Sequence, residues 1–272
     1  MARINKGDDE HGYHIAALAR GLAVLDAFGP GHHELTLKEV AEAVDVTPPS
    51  ALRIGYTLIE AGFLVRNPST KGYRLGPHAL SVGLETLSSM TLPEIAEPYL
   101  VALRDSTDET VKLAIPTGTD VMIVARVASL SHPGTTNYIG SSVPMTLSSL
   151  GRAVLAWQPA ATINAVLAAA RTIRLTPKTM PKARLRQELE ATRQRGYALN
   201  DQGTTVEQRS IAAPLLDASG RAIGALNLSV SAQRFSLSEL ERRLAPDVVR
   251  AARAVSSVLP PQVQGAGQFA LP

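Results

Sequence analysis

The residues whose side chains are best suited to bind a ligand lie in a short stretch that begins at Thr47. After this threonine and two prolines, the segment PPSALRIGYTLIEA predicts a helix on which Ser50 and Arg53 share a narrow polar face. A serine hydroxyl and an arginine guanidinium can donate hydrogen bonds to base edges and phosphates, and arginine can pair with guanine through two bonds. These residue types on one face of a helix favour DNA as the ligand.

Two short helices and a hairpin are predicted around this face. Thr36 and Glu39 have the spacing of a capping box at the start of LKEVAEAV. Thr47 is predicted to cap the next helix, which has proline at its first position. The segments FLVRN and GYRLG then predict two strands joined by a turn. Three helices followed by a hairpin predict a winged helix-turn-helix in residues 12–76.

The predicted hairpin, or wing, carries the other cations of this region. Arg66, Lys71 and Arg74 lie on it, and a polar hairpin with these charges suits contacts to phosphates. We expect Ser50 and Arg53 to enter the major groove while the other residues hold the DNA backbone. The predicted DNA-contacting residues are Thr47, Pro49, Ser50, Arg53, Arg66 and Lys71. The alternative is a small three-helix interaction module with no role in DNA binding.

Amphipathic helices are expected on both sides of this motif. Ile15, Leu18 and Leu22 repeat at helical spacing in IAALARGLAVLDAF, which predicts an apolar stripe. The segment PHALSVGLETLSS also repeats apolar residues on one side. It is expected to be a linker helix within residues 77–90.

Residues 91–259 are predicted to form a second, α+β domain around an antiparallel sheet. TVKLAIP and VMIVARVAS predict one hairpin, and RSIAAPLLD and AIGALNLSVS predict another. A further strand is expected over residues 136–141, followed by a helix that begins near Leu147. Strand pairs mixed with helices, without regular β-α-β alternation, favour helices on one face of the sheet and a concave site on the other. Residues 260–272 are expected to be a disordered tail.

The composition excludes several classes of protein. An apolar content of 45% in 272 residues predicts globular domains, and the absence of cysteine excludes zinc ribbons, thiol catalysis and disulfides. Five of the six histidines lie early in the chain at spacings that fit no zinc pattern, so no metal or other cofactor is expected. No apolar run approaches the roughly 18 residues of a membrane helix, and the first residues lack a signal-peptide core. The sequence therefore predicts a cytoplasmic protein without membrane contacts.

Several segments together match a known pattern over residues 16–259. They are ALARGLAVLDAF, LKEVAEAV, GFLVRN with GYRLG, SSVPMTLSSLGRAVLA and, most specifically, RSIAAPLLDASGRAIGALNLSV. With them the chain resembles the IclR family of bacterial transcription regulators. LSSMTLPEIAEPYL, GYALNDQ and RSIAAPLLDASG are similar to the subgroup that controls the protocatechuate and β-ketoadipate pathways (PcaR, PcaU and PobR type). The resemblance implies a GAF-like effector domain, a homodimer formed through the DNA-binding halves or a tetramer, and control of an aromatic catabolic pathway.

The resemblance also implies an effector pocket between the sheet and the start of the helix that follows SSVPM. Carried onto this chain, its lining would be Ser149, Leu150, Asn200, Ser210, Asn227 and Ser229. Free N–H groups at a helix start, with hydroxyls such as that of Ser148, favour a carboxylate, although Ser148 could equally be an ordinary helix cap. Arg126 and Arg209 are candidate carboxylate partners, and either could instead form a structural salt bridge. The expected effector is a small carboxylate, such as an aromatic acid or β-ketoadipate.

The leading functional hypothesis is a regulator that binds operator DNA. Its effector is expected to change the placement of the two winged domains in a dimer, because half-site spacing on DNA is geometric. Two alternatives stay open: a GAF-type sensor that acts through protein partners, and a small serine hydrolase that uses Ser148 or Ser149. SSLG lacks the G-x-S-x-G elbow, and His132 is the only histidine of the second domain.

Overall fold

The computed structural model describes residues 14–29, 31–132, 137–171 and 173–260. The chain divides into two compact units, with the boundary between Ser89 and Met90. The tail expected to be disordered lies almost entirely outside the described residues. Each unit is considered by itself below.

The first unit contains three helices, a two-stranded hairpin and a fourth helix, in the predicted order. The elements are α1 (Ala16–Asp26), α2 (Leu37–Ala43), α3 (Pro48–Glu60), β1 (Leu64–Arg66), β2 (Tyr73–Leu75) and α4 (Pro77–Ser88). Strands β1 and β2 pair antiparallel, with Val65 opposite Arg74. Val24, Val40, Ala51, Leu64 and Tyr73 are buried together, so α1, α2, α3, β1 and β2 each contribute apolar surface to one small core. The segment predicted as a linker helix is α4, and it falls in this unit.

Two threonines begin helices of this unit in different ways. The capping box at Thr36 is confirmed, because its Oγ1 accepts from the Glu39 N–H at 3.3 Å and the Glu39 carboxylate accepts from the Thr36 N–H at 2.7 Å. Thr47 is the residue before α3, but its hydroxyl lies 3.1 Å from the Ser50 hydroxyl and caps no backbone N–H. Prolines occupy the first two positions of α3, so the usual N–H partners of such a cap are fewer.

The apolar stripes of α1 and α4 do not pack into the core. Ile15, Leu18 and Leu22 are more than half exposed, whereas Val24 is the buried residue of α1. Helix α4 has no buried residue, and Leu80 is 65% exposed. The sequence pattern located these stripes correctly, but it could not tell whether an apolar face meets the protein's own core.

The second unit is an α+β domain, as predicted. Its elements are α5 (Thr91–Thr107), β3 (Thr110–Thr117), β4 (Asp120–Val127), β5 (Ser142–Pro144), α6 (Ser149–Leu155), α7 (Ala160–Ala169), a 3₁₀ turn (Lys182–Arg184), α8 (Leu185–Arg195), β6 (Ala198–Asp201), β7 (Gln208–Leu216), β8 (Ala222–Ser231), α9 (Leu237–Glu239), a π turn (Leu240–Leu244) and α10 (Ala245–Ser257). The strands form one sheet in the order β5-β4-β3-β8-β7-β6, and all the pairings are antiparallel.

One strand is displaced from its predicted place. The strand expected over residues 136–141 is observed as β5, at Ser142–Pro144, and Thr136 lies outside the described residues. The residues just before β5 form a turn, in which the Ser141 N–H donates to the Tyr138 carbonyl at 3.0 Å. Gly140 has a φ of +87°, a left-handed conformation that interrupts an extended strand.

Helix α6 lies over the face of the sheet that carries Ala212 and Ala225. Val154 packs with these two alanines in one buried cluster. A Cβ on Gly151 would lie 2.2 Å from the Cα of Met145, so only glycine permits this close approach of the helix to the preceding turn. The helix begins at Ser149, two residues later than predicted.

Candidate DNA interface and ligand pocket

The polar face of α3 is open to solvent. Thr47, Pro49, Ser50 and Arg53 are all exposed. In the described part of the chain, the Arg53 guanidinium has no hydrogen bond or ion pair, and the backbone carbonyl of Arg53 accepts from the Thr57 hydroxyl at 3.0 Å. The arginine therefore points away from the core with all its donors available to a ligand.

The wing carries the two other predicted cations at its base and in its turn. Arg66 donates through Nε to the carbonyl of Lys71 at 3.2 Å, and its guanidinium lies 5.9 Å from the centroid of the Tyr73 ring. Lys71 is exposed and has a φ of +60°. Both cations are available to phosphates, although Arg66 also braces the hairpin.

A single carboxylate, which the sequence reasoning missed, organises the wing. Glu34 accepts hydrogen bonds from the Thr70 hydroxyl, from Asn67 Nδ2 at 2.9 Å and from Arg74 Nε at 2.5 Å. The bonds from Thr70, Asn67 and Arg74 lower the pKa of Glu34 to about 2. Arg74 is therefore the ion-pair partner of Glu34 although its side chain is 57% exposed, and its contact with phosphate stays a prediction. The two partners are forty residues apart, and no local pattern links them.

The wing is packed against α3 through one aromatic ring. Tyr73 is buried, and a Cβ on Gly55 would lie 2.9 Å from its Cε1 atom. Glycine at this position lets the ring lie directly on the helix. The hairpin and the polar face of α3 are thus held in a fixed relation, as two surfaces that contact one duplex require.

In the second unit, the predicted pocket residues of three strands share one face of the sheet. Asn200 on β6 is paired with Ser210 on β7, and Ser210 is paired with Ser229 on β8. Directly paired residues in an antiparallel sheet point to the same side. Asn227, two residues from Ser229, lies on that side as well. The structure therefore brings these four polar residues together.

Helix α6 contributes its first residues to this polar face. The hydroxyl oxygens of Ser149 and Ser210 lie 2.8 Å apart, and both residues are buried. Ser148 instead accepts from the Gly151 N–H at 3.0 Å, which makes it the helix cap. Leu150 lies in the hydrophobic cluster below the helix, so its contact with an effector stays a prediction. Because α6 has only seven residues and Ser148 occupies one of its free N–H groups, the helix start offers less to a carboxylate than expected.

One polar atom of this face has no partner. The Nδ2 of Asn227 donates to Ser229 Oγ at 3.3 Å, but its Oδ1 is buried without a hydrogen bond. By contrast, the Nδ2 atom of Asn200 donates a hydrogen bond to Thr204 Oγ1 at 2.9 Å. A buried polar atom without a partner is costly, and it calls for a partner such as a water, an ion or a ligand.

The sequence reasoning also missed a buried lysine beside Asn227. Lys112 on β3 is the register partner of Asn227 and is only 3% exposed. Its Nζ lies 3.5 Å from Ser229 Oγ. Burial, together with the nearby charge of Arg126, lowers the pKa of Lys112 to about 8. A lysine that replaces an apolar residue on the inner side of a period-2 strand is the signal that could have revealed it.

The two arginines considered for carboxylate binding have different roles. Arg209 donates to Asp201 Oδ1 at 2.6 Å and to the carbonyls of Ala232 and Phe235 at 2.7 and 2.5 Å, so it forms a structural salt bridge. Arg126 is the register partner of Lys112 on β4. Its guanidinium lies 5.6 Å from the centroid of the Tyr138 ring. Only Arg126 remains a candidate for the pocket.

Arg152 is a third cation on this side of the domain, and it is wholly buried. Its NH1 atom donates to the carbonyls of Thr146 and Leu147 at 3.1 Å each, and its NH2 atom donates to the carbonyl of Leu199. Burial lowers the pKa of Arg152 to about 10. Arg152 thus ties α6 to the turn before it and to strand β6, next to Asn200.

The arrangement does not resemble a hydrolytic site. Ser148 caps a helix, Ser149 pairs with Ser210, and His132 contacts Arg234 through Nδ1 at 3.1 Å. In the described ranges no group of three or more potential ligands from histidine, cysteine, aspartate and glutamate could hold a metal ion. Nor does any helix in this part of the chain have the length and apolar character needed to cross a membrane.

Comparison with known proteins identifies both units. Residues 17–68 match the IclR helix-turn-helix domain, and residues 84–257 match the C-terminal domain of the bacterial transcriptional regulator IclR. The chain belongs to the IclR family. As a member, it is a DNA-binding transcriptional regulator with an N-terminal helix-turn-helix and an effector-binding C-terminal domain. The predicted family and the predicted function of regulator are confirmed.

Individual members of the IclR family are similar over most of the chain. The Pca regulon regulatory protein of Pseudomonas putida is 32% identical over 88% of this chain and 82% of its own length. The regulator BhcR of Paracoccus denitrificans is 30% identical over 91% of this chain and 88% of its own. An IclR family regulator from Brucella abortus has a similar crystal structure, with a TM-score of 0.79, 26% identity and coverage of 94% and 97% of the two chains. The fold also matches an IclR homolog from Microbacterium hydrocarbonoxydans complexed with 4-hydroxybenzoate, with a TM-score of 0.72, 21% identity and coverage of 89% and 98%.

Proposed function

We propose that the chain reads its operator through Ser50 and Arg53 on α3, with Thr47, Pro49, Arg66 and Lys71 on the DNA backbone. The observation that carries this assignment is the exposed, unpartnered guanidinium of Arg53 on a helix fixed beside the wing. A guanidinium group on the outer face of such a helix can donate two parallel hydrogen bonds to the O6 and N7 atoms of guanine.

A mobility-shift experiment with DNA from upstream of the gene tests this proposal. Specific binding is expected at a concentration at which a scrambled duplex of the same length is not shifted. Binding that is equal on both duplexes would contradict sequence reading by α3. No shift on either duplex would favour a sensor that acts through protein partners.

We further propose that the second unit binds a small organic acid on the polar face formed by Ser149, Asn200, Ser210, Asn227 and Ser229. The unpartnered Oδ1 of Asn227 is the observation that supports a ligand there, because a buried acceptor is stabilised by a donor. The similarity to the Pca regulon regulatory protein favours an acid of an aromatic catabolic pathway. Aromatic acids and β-ketoadipate are therefore the first compounds to test.

Thermal unfolding in the presence of these acids provides the test. A ligand that binds only the native state raises the midpoint of unfolding, and the shift grows with its concentration. Protocatechuate, 4-hydroxybenzoate and β-ketoadipate should include at least one stabilising compound, and that compound should also change the mobility shift of operator DNA. Stabilisation without any change in DNA affinity would contradict a regulatory role for the site.

We propose, finally, that the chain acts as a homodimer or a tetramer of such dimers. The uncovered apolar stripes of α1 and α4 support this, because residues such as Leu18, Leu22 and Leu80 are more than half exposed. The effector then acts by changing the placement of the two winged units in the dimer. Sedimentation equilibrium tests the assembly: a Leu18→Glu, Leu22→Glu variant should be monomeric, whereas the wild type should be a dimer or larger.

A further inference from the structure

Two cations lie side by side on the polar face of the sheet. Lys112 and Arg126 are register partners on β3 and β4, so their side chains leave the sheet on the same side. Asn227 and Ser229 on β8 flank Lys112 on its other side. The pair therefore borders the same polar residues to which the effector is assigned.

Lys112 has no carboxylate partner within the described residues. Its one hydrogen bond there joins Nζ to the Ser229 hydroxyl at 3.5 Å, which is at the limit for such a bond. Three partly or fully buried acids of the second unit have other partners: Glu109 pairs with Arg234, Asp201 with Lys178 and Arg209, and Glu188 with Arg195. The charge that acts on Lys112 is the positive charge of Arg126.

This arrangement is unfavourable without a ligand. Lys112 is a buried residue, so its ammonium group loses hydration, and the neighbouring guanidinium of Arg126 adds repulsion instead of attraction. Packing alone does not require a charge at this position, because an apolar side chain would pack in the same place on the strand. An anion beside Nζ would compensate the charge of Lys112 and offset the repulsion from Arg126.

We propose that Lys112 is the specificity-determining residue of the effector pocket, where its ammonium group binds the acidic group of the effector and, with Arg126, selects anions over neutral molecules. The proposal rests on the proposed effector function of the second unit. The class of ligand follows from two groups of the site, the ammonium group of Lys112, which has no carboxylate partner in the described part of the chain, and the unpartnered Oδ1 atom of Asn227. Lys112 takes a carboxylate, and the Oδ1 of Asn227 accepts from a hydroxyl, so the effector is a small hydroxylated organic acid.

The first test needs no ligand. Lys112→Met removes the buried charge and keeps the length of the side chain, so it should raise the midpoint of thermal unfolding at pH 7 by about 2–4 °C or more. Lys38→Met is the control, because the Lys38 side chain is 84% exposed, and it should leave the midpoint nearly unchanged. A lower midpoint for Lys112→Met would show that the lysine stabilises the empty domain, and this would overturn the proposal.

The same comparison has a defined pH dependence. The pKa of Lys112 is lowered to about 8 in the folded chain from the ordinary value of 10.5, so the folded state binds fewer protons between these values. The destabilising effect of the lysine is therefore complete below about pH 8 and fades as the pH rises towards 10.5. The stability difference between Lys112→Met and the wild type should shrink over that range.

The second test measures binding by calorimetry, with 4-hydroxybenzoate, protocatechuate and their neutral amides as probes. The acids should bind the Lys112→Met variant at least about 30-fold more weakly than the wild type. A loss of this size corresponds to removal of a buried charge partner. Lys112→Arg should restore much of the affinity. For the wild type, affinity should fall above about pH 8, where the empty pocket loses the proton, whereas the Lys112→Arg variant should show no such fall.

The outcomes separate the proposal from the function on which it rests. Equal acid affinity in Lys112→Met and the wild type, or equal binding of the acid and its amide, would overturn the role of Lys112 and leave the pocket in place. If no acid binds the wild type at millimolar concentration while operator DNA is still bound, both the ligand class and the role of Lys112 fail. A pH profile that is identical in the wild type and Lys112→Arg would contradict the charge-based selection.

Discussion

The hydroxyl oxygens of Ser149 on α6 and Ser210 on β7 lie 2.8 Å apart and join the first turn of the helix to the sheet. This contact places the helix on the polar face that carries Asn227 and Ser229. A change at this point should therefore affect ligand binding before it affects the DNA-binding unit, whose core is separate.

We expect Ser149→Leu to abolish the response to effector while DNA binding without effector stays intact. The larger apolar side chain fills the space beside Ser210 and removes a hydroxyl from the polar face. Mobility shifts with and without the stabilising acid measure both properties. The matched control is Ser148→Ala, which removes only the helix cap, costs about 1 kcal/mol of stability and keeps the response. A normal response in Ser149→Leu would remove this residue from the pocket.

Arg53→Ala should weaken specific operator binding by about 1–3 kcal/mol, because a bidentate contact to guanine would be lost. Binding to a scrambled duplex should change much less. Fluorescence anisotropy at fixed salt concentration measures both affinities, with Arg186→Ala in the second unit as the control. Equal losses on both duplexes would mean that Arg53 contacts phosphate only.

Arg152→Leu should destabilise the second unit by about 3 kcal/mol. The carbonyls of Thr146, Leu147 and Leu199 would lose their donor at a cost of about 1–3 kcal/mol each, and the loss of a buried charge offsets part of this sum. Urea unfolding gives the value. Arg186→Leu, at an exposed position on α8, should change stability by less than about 0.5 kcal/mol. A similar small effect for Arg152→Leu would contradict its role in positioning α6.

Asp201 should make the stability of the second unit depend on acid pH. Burial alone would raise the pKa of Asp201, but hydrogen bonds from Gln202, Lys178 and Arg209 outweigh it and lower the pKa to about 2. The stabilisation is therefore complete above the ordinary value of 3.8 and is lost as the pH falls towards about 2. Unfolding midpoints between these pH values should fall more steeply for the wild type than for Asp201→Asn. Parallel curves would show that the carboxylate is not held by these bonds.

The sequence was sufficient where a pattern depends on neighbours along the chain. The capping box at Thr36, the helix α3 and the paired strands β3 and β4 each follow from local spacing, and all of them are observed. The same local rules placed the strand before α6 several residues too early, because a left-handed glycine in the middle of an extended-looking stretch does not change its apolar pattern.

The sequence was insufficient where a role depends on residues brought together by folding. Nothing near Glu34 indicates that it binds Arg74, and nothing near Lys112 indicates that Arg126 lies beside it. For the same reason the sequence located the apolar stripe of α1 but not its exposure, since periodicity identifies an apolar face but not what covers it. Asn200, Ser210, Asn227 and Ser229 share one sheet face and their role in a pocket stays a prediction, whereas the buried Lys112 became visible only from the strand register.

The ion pair between Glu34 and Arg74 has a consequence for how tightly the regulator holds any duplex. Each phosphate neutralised by a protein cation releases counterions and adds about 0.9 to the slope of log affinity against log salt concentration. With Arg74 retained by a carboxylate, the wing releases fewer ions than its number of basic residues suggests. The complex should therefore tolerate salt comparatively well, and unselective attraction to the chromosome should be correspondingly small.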